Sequence, residues 1–489
     1  MYDVVIIGSG LGGLVSANIL AKAGMKVLVL ERQRHAGGCL QSYRRKQMDY
    51  DTGLHYVGGL GEGQTLHGIF TKLGLMQLPW KRMDKDCVEE MHLDGNVYRL
   101  PEGFEEYEER LTEYFPACRD GIHSFVGMLK ESTDKQFAMF SGNPGDIESI
   151  QQSYGTGAWQ YLHDTLHDER LINVVSAAAM KLELRKESLP LFTFAHCFAG
   201  YVESGWRLAG SGNMMVDLLV SQIRAMGGDV ICDAEVEELI ETDGVISTAK
   251  CANGNEYQAR HFISDIHPAA TCRLVKQGKM LKRFYRMRMD NLENTFGMFT
   301  LSLRLKDNSL EYFGHNKYVY STNDVWNACG QGVNGVMLSC RIPEDGSMYA
   351  RQLDILTPVG HDTCSQWEGT SIGKRGNEYT AWKEEMAHAC IKLASEVIPN
   401  LQEITEEEYS SSPLTYRDYN LTPEGSAFGV RKDFRHPLQT MLTPRTPIPN
   451  LLLTGQSLVL HGIQGVTMTA LMTCSEILGK DRIFKDYIL

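Results

Sequence analysis

The strongest constraint on the fold is a glycine pattern that directly follows a short apolar strand. Val4 to Ile7 is a continuous β-branched run, typical of a parallel strand buried on both faces. Gly8, Gly10 and Gly13 follow in G-x-G-x-x-G spacing, which combines a tight turn, close backbone approach to a pyrophosphate and close helix–strand packing. The phosphates would contact free N–H groups at a helix N-terminus. The pattern predicts a Rossmann-type dinucleotide site formed by Gly8, Ser9, Gly10, Leu11, Gly12 and Gly13.

A second strand and an acid complete this unit. Small residues recur at helical spacing up to Gly24, and Val27 to Leu30 forms the next apolar run. Glu31 follows about 20 positions after the glycines, where an acidic side chain hydrogen-bonds the ribose of the adenosine half. Glu31 and the adjacent Arg32 are therefore predicted to lie at the adenosine end of the site.

A further glycine pair separates this pattern from a plain NAD site. Gly37 and Gly38 come six residues after Glu31, and a simple NAD-binding unit has no need of them. In two-dinucleotide flavoproteins such a pair follows the second strand and lies against FAD. Residues 48–59 are rich in aromatic side chains and glycines, and Gly53 could serve either a close approach to a ring or a turn.

The rest of the chain suggests two discontinuous domains. Residues 66–206 are mostly helical, residues 207–285 form a second α/β piece suited to completing the parallel sheet, and residues 295–356 alternate like an antiparallel sheet. A strand ending at Gly455–Gln456 precedes Gly465 and a helix from Val466, again a strand, a glycine and a helix N-terminus. We predict an α/β Rossmann-like FAD-binding domain (1–65, 207–285, 440–489) and an α+β substrate domain with a helical insertion (66–206, 286–439).

Two other patterns mimic ligand sites. Gly330, Gly332 and Gly335 repeat the glycine spacing, but an apolar strand-like run follows them, which favours a turn between strands. His163 and His167 have metal-ligand spacing on a helix, but no third ligand is in view and a solvated face is the favoured interpretation. No metal site is predicted.

Net charge, apolar runs and cysteine usage limit which partners and which cellular compartment are expected. The 489 residues carry a net charge of −13, which disfavours nucleic acid and leaves only a local basic patch possible. No apolar run is long enough to span a membrane, and the first strand begins too early to leave room for a signal peptide. The 12 cysteines lack metal-like spacing and are interpreted as reduced thiols of a cytoplasmic protein, with at most peripheral membrane contact.

With these residues in hand, the chain resembles the retinol saturase-like branch of the phytoene desaturase and carotenoid isomerase superfamily of FAD-dependent oxidoreductases. The more specific stretches are D-T-G-L-H-Y at 51–56 and I-P-N-L-L-L-T-G-Q at 448–456. The resemblance implies that Gly8, Gly10 and Gly13 hold the FAD pyrophosphate and Glu31 the ribose. It also implies that the FAD is lined by Gly37, Gly38, the backbone of Val236, Gly455 and Gln456.

The chain departs from the family pattern at two positions. Many relatives have Asp where this chain has Gln456, so a neutral amide would make that hydrogen bond. Cys39 follows the glycine pair in place of Arg or Ser. It is interpreted as a packing residue rather than a redox-sensitive thiol.

The resemblance implies chemistry on carbon–carbon double bonds of a lipophilic isoprenoid or polyene. His55 and Tyr56 are the candidates for proton delivery or substrate positioning, and a purely supporting role for His55 is the alternative. The reductant is open between NAD(P)H docking near the flavin and a separate electron-transfer partner. Two other functions share the N-terminal signature: an amine-oxidase-type flavoenzyme, and a non-catalytic prenyl binder like the GDP-dissociation inhibitors.

Overall fold

The computed structural model describes residues 1–330 and 332–489, apart from the side chains of Met139 and Ser141. Strands and helices are numbered separately in chain order. The strands are β1 Tyr2–Ile7, β2 Val27–Leu30, β3 Ser42–Arg45, β4 Met48–Asp51, β5 Val57–Gly58, β6 Trp80–Arg82, β7 Glu89–Leu93, β8 Asn96–Leu100, β9 Gly205–Leu208, β10 Asp229–Ile231, β11 Val236–Thr242, β12 Val245–Cys251, β13 Glu256–Ser264, β14 Gly297–Leu305, β15 Asn316–Tyr320, β16 Gly335–Cys340, β17 Gln352–Val359, β18 Thr405–Ser411 and β19 Leu451–Leu453.

The α-helices are more numerous in the middle of the chain, as the helical insertion predicts. They are α1 Leu11–Lys22, α2 His67–Lys72, α3 Phe104–Tyr114, α4 Arg119–Asp134, α5 Ala138–Ser141, α6 Pro144–Tyr154, α7 Ala158–Leu166, α8 Glu169–Ser176, α9 Leu191–Glu203, α10 Asn213–Ala225, α11 Pro268–Leu274, α12 Arg283–Asp290, α13 Gly376–Ala394, α14 Leu401–Ile404, α15 Pro413–Asn420, α16 Pro437–Thr440, α17 Gly462–Leu478 and α18 Lys480–Ile483. Short 3₁₀ turns include Gly38–Leu40 and Ala179–Lys181, and a π-helical turn spans Phe484–Ile488.

The first sheet has a Rossmann-like parallel centre in the order β10-β2-β1-β13-β19. Ile7 at the end of β1 lies beside Leu30 on one side and Ser264 on the other. The carboxyl ends of β1, β2 and β13 therefore meet at one edge, where open α/β sheets bind ligands. The predicted α/β fold with a Rossmann-like unit is confirmed.

The apolar run of β1 is buried on both faces because α/β packing covers both sides of the sheet. Val4 and Ile6 pack with α1, α10 and α17, and Val5 and Ile7 pack with the opposite cluster around β11 to β13. This explains why the run is continuously β-branched rather than alternating with polar residues.

Residues 236–251 depart from the expected parallel sheet. β11 and β12 form an antiparallel hairpin that extends from the start of β13, and only β10 and β13 join β2 and β1 in parallel. The hairpin forms because Asp243 (φ 51°) and Gly244 (φ 83°) provide the left-handed backbone of a tight turn.

The second sheet has the order β18-β14-β17-β16-β15-β7-β8. It is antiparallel as predicted except for the β15–β7 pair, which is parallel and places Asn316 beside Glu89. Residues 89–100 thus add two strands to the predicted sheet. The largest apolar cluster packs between this sheet and helices α3 to α9.

Among the described residues, no helix combines the length and apolarity needed to cross a membrane. The 12 cysteines are all described and all are free thiols.

Candidate functional site

The glycine loop forms a cradle that side chains would fill. A Cβ added to Gly13 would lie 2.3 Å from the carbonyl oxygen of Gly8, and one added to Gly12 would lie 3.0 Å from the backbone N of Gly455. Gly10 precedes α1, and no described side chain caps that helix. The backbone N–H groups of Gly10 and Gly13 interact with the carboxyl group of Asp265, and the other first-turn N–H groups are available to an external acceptor, the arrangement that binds phosphate.

Glu31 is held rigidly at the end of β2, where the ribose was predicted. Its Oε2 accepts hydrogen bonds from the backbone N (3.0 Å) and the Oγ (2.5 Å) of Ser9, and its Oε1 accepts one from the backbone N of Gln33 (2.7 Å). Ser9 Oγ also accepts a bond from the Gly37 N–H (3.1 Å). The hydroxyl of Ser9 thus joins the glycine loop, the acid and the second glycine pair, so the structure brings these predicted residues together.

Asp265 is a site residue that sequence reasoning missed. It follows β13, and its carboxyl group lies against the cradle: a Cβ on Gly12 or Gly455 would be 2.5 Å from its Oδ1, and one on Gly10 would be 2.6 Å from its Oδ2. Oδ2 has no hydrogen-bond partner among the described residues. Burial, with a smaller contribution from the charge of Glu31, raises the pKa of Asp265 to about 7. The signal for it was an acid directly after a buried strand of the same sheet.

The far end of the cradle is formed by the segment after β19. Gly455 (φ 93°) closes against Asp265, and Gln456 follows it half-buried. The expectation that the next helix begins near Gly465 and Val466 is wrong, because α17 begins at Gly462. Glycine is a poor helix former, but a Cβ at position 465 would lie 2.6 Å from the carbonyl carbon of Leu460, so close packing requires Gly465 inside the helix.

The N-terminal end of α17 also borders the apolar cluster of the second sheet. His461, which precedes the helix, stacks on Phe428 with ring centroids 4.4 Å apart, and its Nε2 lies 2.8 Å from the carbonyl oxygen of Lys181. Leu460 is itself a member of that cluster. Burial lowers the pKa of His461 to about 4, so its imidazole is neutral at pH 7. The helix end thus lies between the cradle and an apolar region.

Lys432 secures the loop that follows Gln456 and was not singled out in the sequence. Its buried Nζ donates to the carbonyl oxygens of Thr440 (3.0 Å), Ser457 (2.7 Å) and Leu458. Burial lowers its pKa to about 7. Three carbonyl acceptors match three ammonium donors, so the geometry favours the charged form as a structural clamp. No local sequence pattern around Lys432 predicts this role.

Cys39 and Gly53 pack against each other beside the second glycine pair. A Cβ on Gly53 would be 2.8 Å from the Cys39 carbonyl oxygen, so Gly53 serves close backbone contact. Burial, followed by the charge of Asp265, raises the pKa of the Cys39 thiol to about 11. A thiol that remains protonated is a weak nucleophile, which supports the packing interpretation over a redox-sensitive one.

Arg32 and Val236 lie on either side of Glu31. Arg32 Nη2 donates to the carbonyl oxygens of Asp418 (2.6 Å) and Tyr419 (3.2 Å), so it ties the cradle to α15. The backbone N of Ala234 donates to the Glu31 carbonyl oxygen (2.8 Å), which brings the start of β11 and Val236 to the acid. Val236 therefore lies near the adenosine end assigned to it.

His55 lies in a buried polar group rather than near solvent. Its Nδ1 is 3.9 Å from Asp354 Oδ2, and its Nε2 has no hydrogen-bond partner among the described residues. Together with Asp51, Arg207 and Arg341 these residues line a small pocket. Burial lowers the pKa of His55 to about 4. A neutral imidazole at pH 7 fits positioning better than proton delivery, and it removes the premise that His55 exchanges protons near neutral pH.

Tyr56 belongs to a different network inside the apolar cluster. Its hydroxyl donates to Glu89 Oε1 (2.9 Å) and lies 2.9 Å from the hydroxyl of Tyr318. Lys181 Nζ donates to the same carboxylate oxygen (2.7 Å) and lies 4.0 Å from the ring centroid of Tyr201. Burial lowers the pKa of Lys181, and Glu89 opposes this shift. The network places the Lys181–Glu89 ion pair and two tyrosine hydroxyl groups in an otherwise apolar region.

We expect the Tyr56→Phe variant to lose about 1–3 kcal/mol of unfolding free energy, because the buried Glu89 carboxylate loses a hydrogen bond. Urea unfolding followed by circular dichroism measures this. Tyr114→Phe is the matched control, since the Tyr114 hydroxyl bonds only near the surface (Arg99 N, 3.1 Å) and should change stability by under about 0.5 kcal/mol. Equal losses of unfolding free energy in both variants would show that the buried hydrogen bond from Tyr56 to Glu89 stabilises the fold no more than a surface hydrogen bond does.

The two patterns that mimic ligand sites lie at the end of a helix and at a turn between strands. α7 ends at Leu166, so His167 (φ 56°) lies beyond the helix that carries His163, and both side chains are exposed. Gly330 and Gly332 lie between the antiparallel strands β15 and β16, and Gly335 begins β16, while Gln331 within that pattern is outside the described residues.

The chain is similar in sequence to proteins of known name. Residues 6–73 match the NAD(P)-binding Rossmann-like domain family. The chain is 25% identical to human all-trans-retinol 13,14-reductase over 99% of its own length and 86% of that protein. By sequence, the chain is therefore similar to the retinol saturase-like branch. A chloroplastic prolycopene isomerase of Daucus carota is also 25% identical, over 87% of this chain and 71% of that protein.

The fold of this retinol saturase-like chain extends to more distant oxidoreductases. Cyclohexylamine oxidase from Brevibacterium oxydans aligns over 100% of both chains with a TM-score of 0.64 and 13% identity. At that identity the similarity concerns the fold alone.

Proposed function

We propose that the protein is an FAD-dependent oxidoreductase that acts on carbon–carbon double bonds of a lipophilic polyene. The observation that carries the proposal is the near-full-length similarity to two proteins named for different reactions on polyenes, a retinol reductase and a prolycopene isomerase. Retinol and prolycopene share conjugated double bonds and differ in length and polarity. The shared substrate class is therefore better supported than either reaction.

The residues of the cradle fit an FAD. Glycines at 10, 12 and 13 let the loop pack closely against Gly8, Asp265 and Gly455. The start of α1 would then bind the diphosphate, and Glu31 offers a carboxylate for a ribose. Oδ2 of Asp265 is buried and has no hydrogen-bond partner in the part of the chain that the structure describes, and with a pKa of about 7 this carboxyl group can be neutral beside the diphosphate. The start of α17 would lie at the opposite end, with Gln456 beside it.

When bound, the flavin supplies the hydride chemistry. The chain's own contribution is binding, orientation and exclusion of water. The aromatic and aliphatic side chains around Tyr201 and Phe198 give an apolar surface next to His461, where a polyene would meet the cradle. Tyr56 and Lys181 would offer protons beside that surface, since the Tyr56 ring lies 4.4 Å and Lys181 Nζ 4.0 Å from the ring centroid of Tyr201. His55 would hold the segment between Gly53 and Tyr56 in position.

The electron donor is part of the proposal and has two candidates. NAD(P)H could dock directly, or a separate electron-transfer protein could deliver electrons. Spectral bleaching of the oxidised protein by NADPH alone would support direct docking, whereas bleaching only by dithionite or an added reductase would support a partner.

The decisive experiment is anaerobic incubation of the purified protein, once with the flavin oxidised and once after its reduction, with a panel of retinoids and carotenoids. Mass spectrometry distinguishes a gain of two hydrogens (reductase), a loss of two (desaturase) and an unchanged mass with altered retention (isomerase). Peroxide production from amines without polyene turnover would instead support an amine-oxidase-type enzyme. A colourless protein that cannot be reconstituted with FAD would exclude both and leave a lipid-binding role.

A further inference from the structure

A basic segment of the chain stands out against its acidic whole. Residues 273–290 contain seven Lys or Arg residues and one acid, Asp290, whereas the full chain carries a net charge of −13. Asp290 is paired with Arg273 at 2.8 Å, and the nearby carboxylate of Glu241 accepts the backbone N–H of Lys279 at 2.8 Å. The acids beside this segment are therefore occupied, while the side chains of Lys276, Lys279, Lys282 and Arg283 are exposed.

Large apolar side chains project from the same surface. Phe284 on α12 is 81% exposed, Met287 is 48% exposed and Leu438 on α16 is 90% exposed. Phe284, Met287 and Arg288 share one helix face because they are spaced i, i+3 and i+4. Arg288 Nη2 donates to the carbonyl oxygens of Leu438 (2.9 Å) and Gln439 (3.2 Å), so α16 lies against this face of α12.

The inward side of α12 is fixed to the body of the protein. Arg286 donates to the carbonyl oxygens of Leu281 (3.0 Å), Cys272 (2.5 Å) and Val275 (2.6 Å), and Met289 is buried. The helix is thus held by its other face. Phe284 and Leu438 contribute little to packing, and their exposure costs solvation that a partner would recover.

We propose that this basic–apolar face (Lys276, Lys279, Lys282, Arg283, Phe284, Met287, Arg288 and Leu438) docks the protein on an anionic membrane surface. Interleaved basic and large apolar side chains match a lipid interface, where the cations contact headgroups and Phe and Leu enter the acyl boundary. A nucleic acid would use the cations but has no comparable use for exposed Leu and Met. Collection of a lipophilic substrate from the bilayer rests on the proposed function, whereas membrane binding itself does not.

The test is co-sedimentation of the full-length protein with phosphatidylcholine vesicles with and without phosphatidylserine, in the absence of substrate. We expect binding only with phosphatidylserine, weakening at least tenfold between low and high salt because the contact is partly electrostatic. Two variants, K279Q/K282Q/R283Q and F284S/L438S, should each weaken binding at least tenfold. Hydrogen exchange of residues 279–288 should slow when vesicles are added to the wild type.

The controls remove equal numbers of similar side chains elsewhere. R44Q/R45Q/K46Q neutralises three exposed basic residues on and next to β3, and Met348→Ser removes an exposed methionine (65% exposed). Both should bind as the wild type does. The altered side chains are exposed, and thermal unfolding checks that every variant folds.

Two results would overturn the proposal. One is failure of the wild type to bind phosphatidylserine vesicles, or binding by both variants of the face as strong as that of the wild type. The other is binding of single-stranded DNA that the charge variant loses and F284S/L438S retains, combined with vesicle binding insensitive to F284S/L438S, which would identify a nucleic-acid surface instead.

Discussion

The Gly13→Ala variant should be isolated without flavin. An alanine Cβ at this position would lie 2.3 Å from the Gly8 carbonyl oxygen, a backbone atom that cannot rotate away. The helix start must therefore move off β1, and overpacking of this kind costs about 1–3 kcal/mol, equivalent to roughly 5–150-fold in affinity. Flavin absorbance of the purified protein and titration of the apoprotein with FAD measure the loss.

Gly127→Ala provides the matched control. Gly127 lies inside α4, and an added Cβ there would meet no atom within 4 Å. The same change should leave flavin content intact and stabilise the protein by up to about 1 kcal/mol, because alanine is the better helix former. If Gly13→Ala retains full flavin occupancy at wild-type affinity, the cradle assigned to residues 8–13 is not where the cofactor binds.

The Asp265→Asn variant should bind FAD with an affinity that no longer depends on pH. In the wild type the carboxyl group has a pKa of about 7 and lies against the glycines that would face the diphosphate. Above that pH a negative carboxylate opposes the diphosphate, so the dissociation constant should rise by up to tenfold per pH unit between pH 7 and 9. Asparagine has the same shape and no charge. Titrations of both apoproteins with FAD, followed by flavin fluorescence at several pH values, measure how the dissociation constant of each protein depends on pH.

The same group gives a stability signature in the apoprotein. The pKa of Asp265 is raised in the folded state relative to its ordinary value of 3.8, so the folded state binds the proton more tightly than the unfolded state. Its stabilising contribution is complete below pH 4 and is lost as pH rises through about 7. Asp265→Asn should therefore unfold at higher denaturant than the wild type at pH 8, and the difference should shrink toward pH 4. A difference in unfolding midpoint between wild type and Asp265→Asn that stays constant from pH 4 to pH 8 would refute the raised pKa of Asp265.

The N-terminal β1–α1–β2 unit could be predicted from local sequence. β1, the glycine loop, α1, β2 and Glu31 are contiguous, and each depends on propensities and spacings within about 30 residues. The hydrogen bonds from Ser9 to Glu31 and from Gly37 to Ser9 arise from that same short stretch. The antiparallel character of residues 297–359 was visible for the same reason, since alternation is a local pattern.

Contacts between distant segments could not be read in this way. Asp265 enters the site only because Ile7 and Ser264 are in register in neighbouring parallel strands. The start of α17 was misplaced because the packing of Leu460 on Gly465 overrides the low helix propensity of glycine. The lowered pKa of His55 results from its burial, with smaller effects from the charges of Asp51 and Arg207. No spacing in the sequence predicts that these residues meet. The basic face of α12 was hidden because net charge averages over the whole chain.

The contact between Gly12 and Gly455 links cofactor loading to the order of protein synthesis. At about 5–20 residues per second, roughly 20–90 s separate the appearance of Gly13 from that of Gly455 on the ribosome. During that interval the face of α1 that finally packs on α17, where Cys474 Sγ donates to the Ser16 carbonyl oxygen at 3.7 Å, has no partner. This apolar helix face stays uncovered until α17 has been synthesised, and a cradle that Gly455 completes would accept a flavin only after that point.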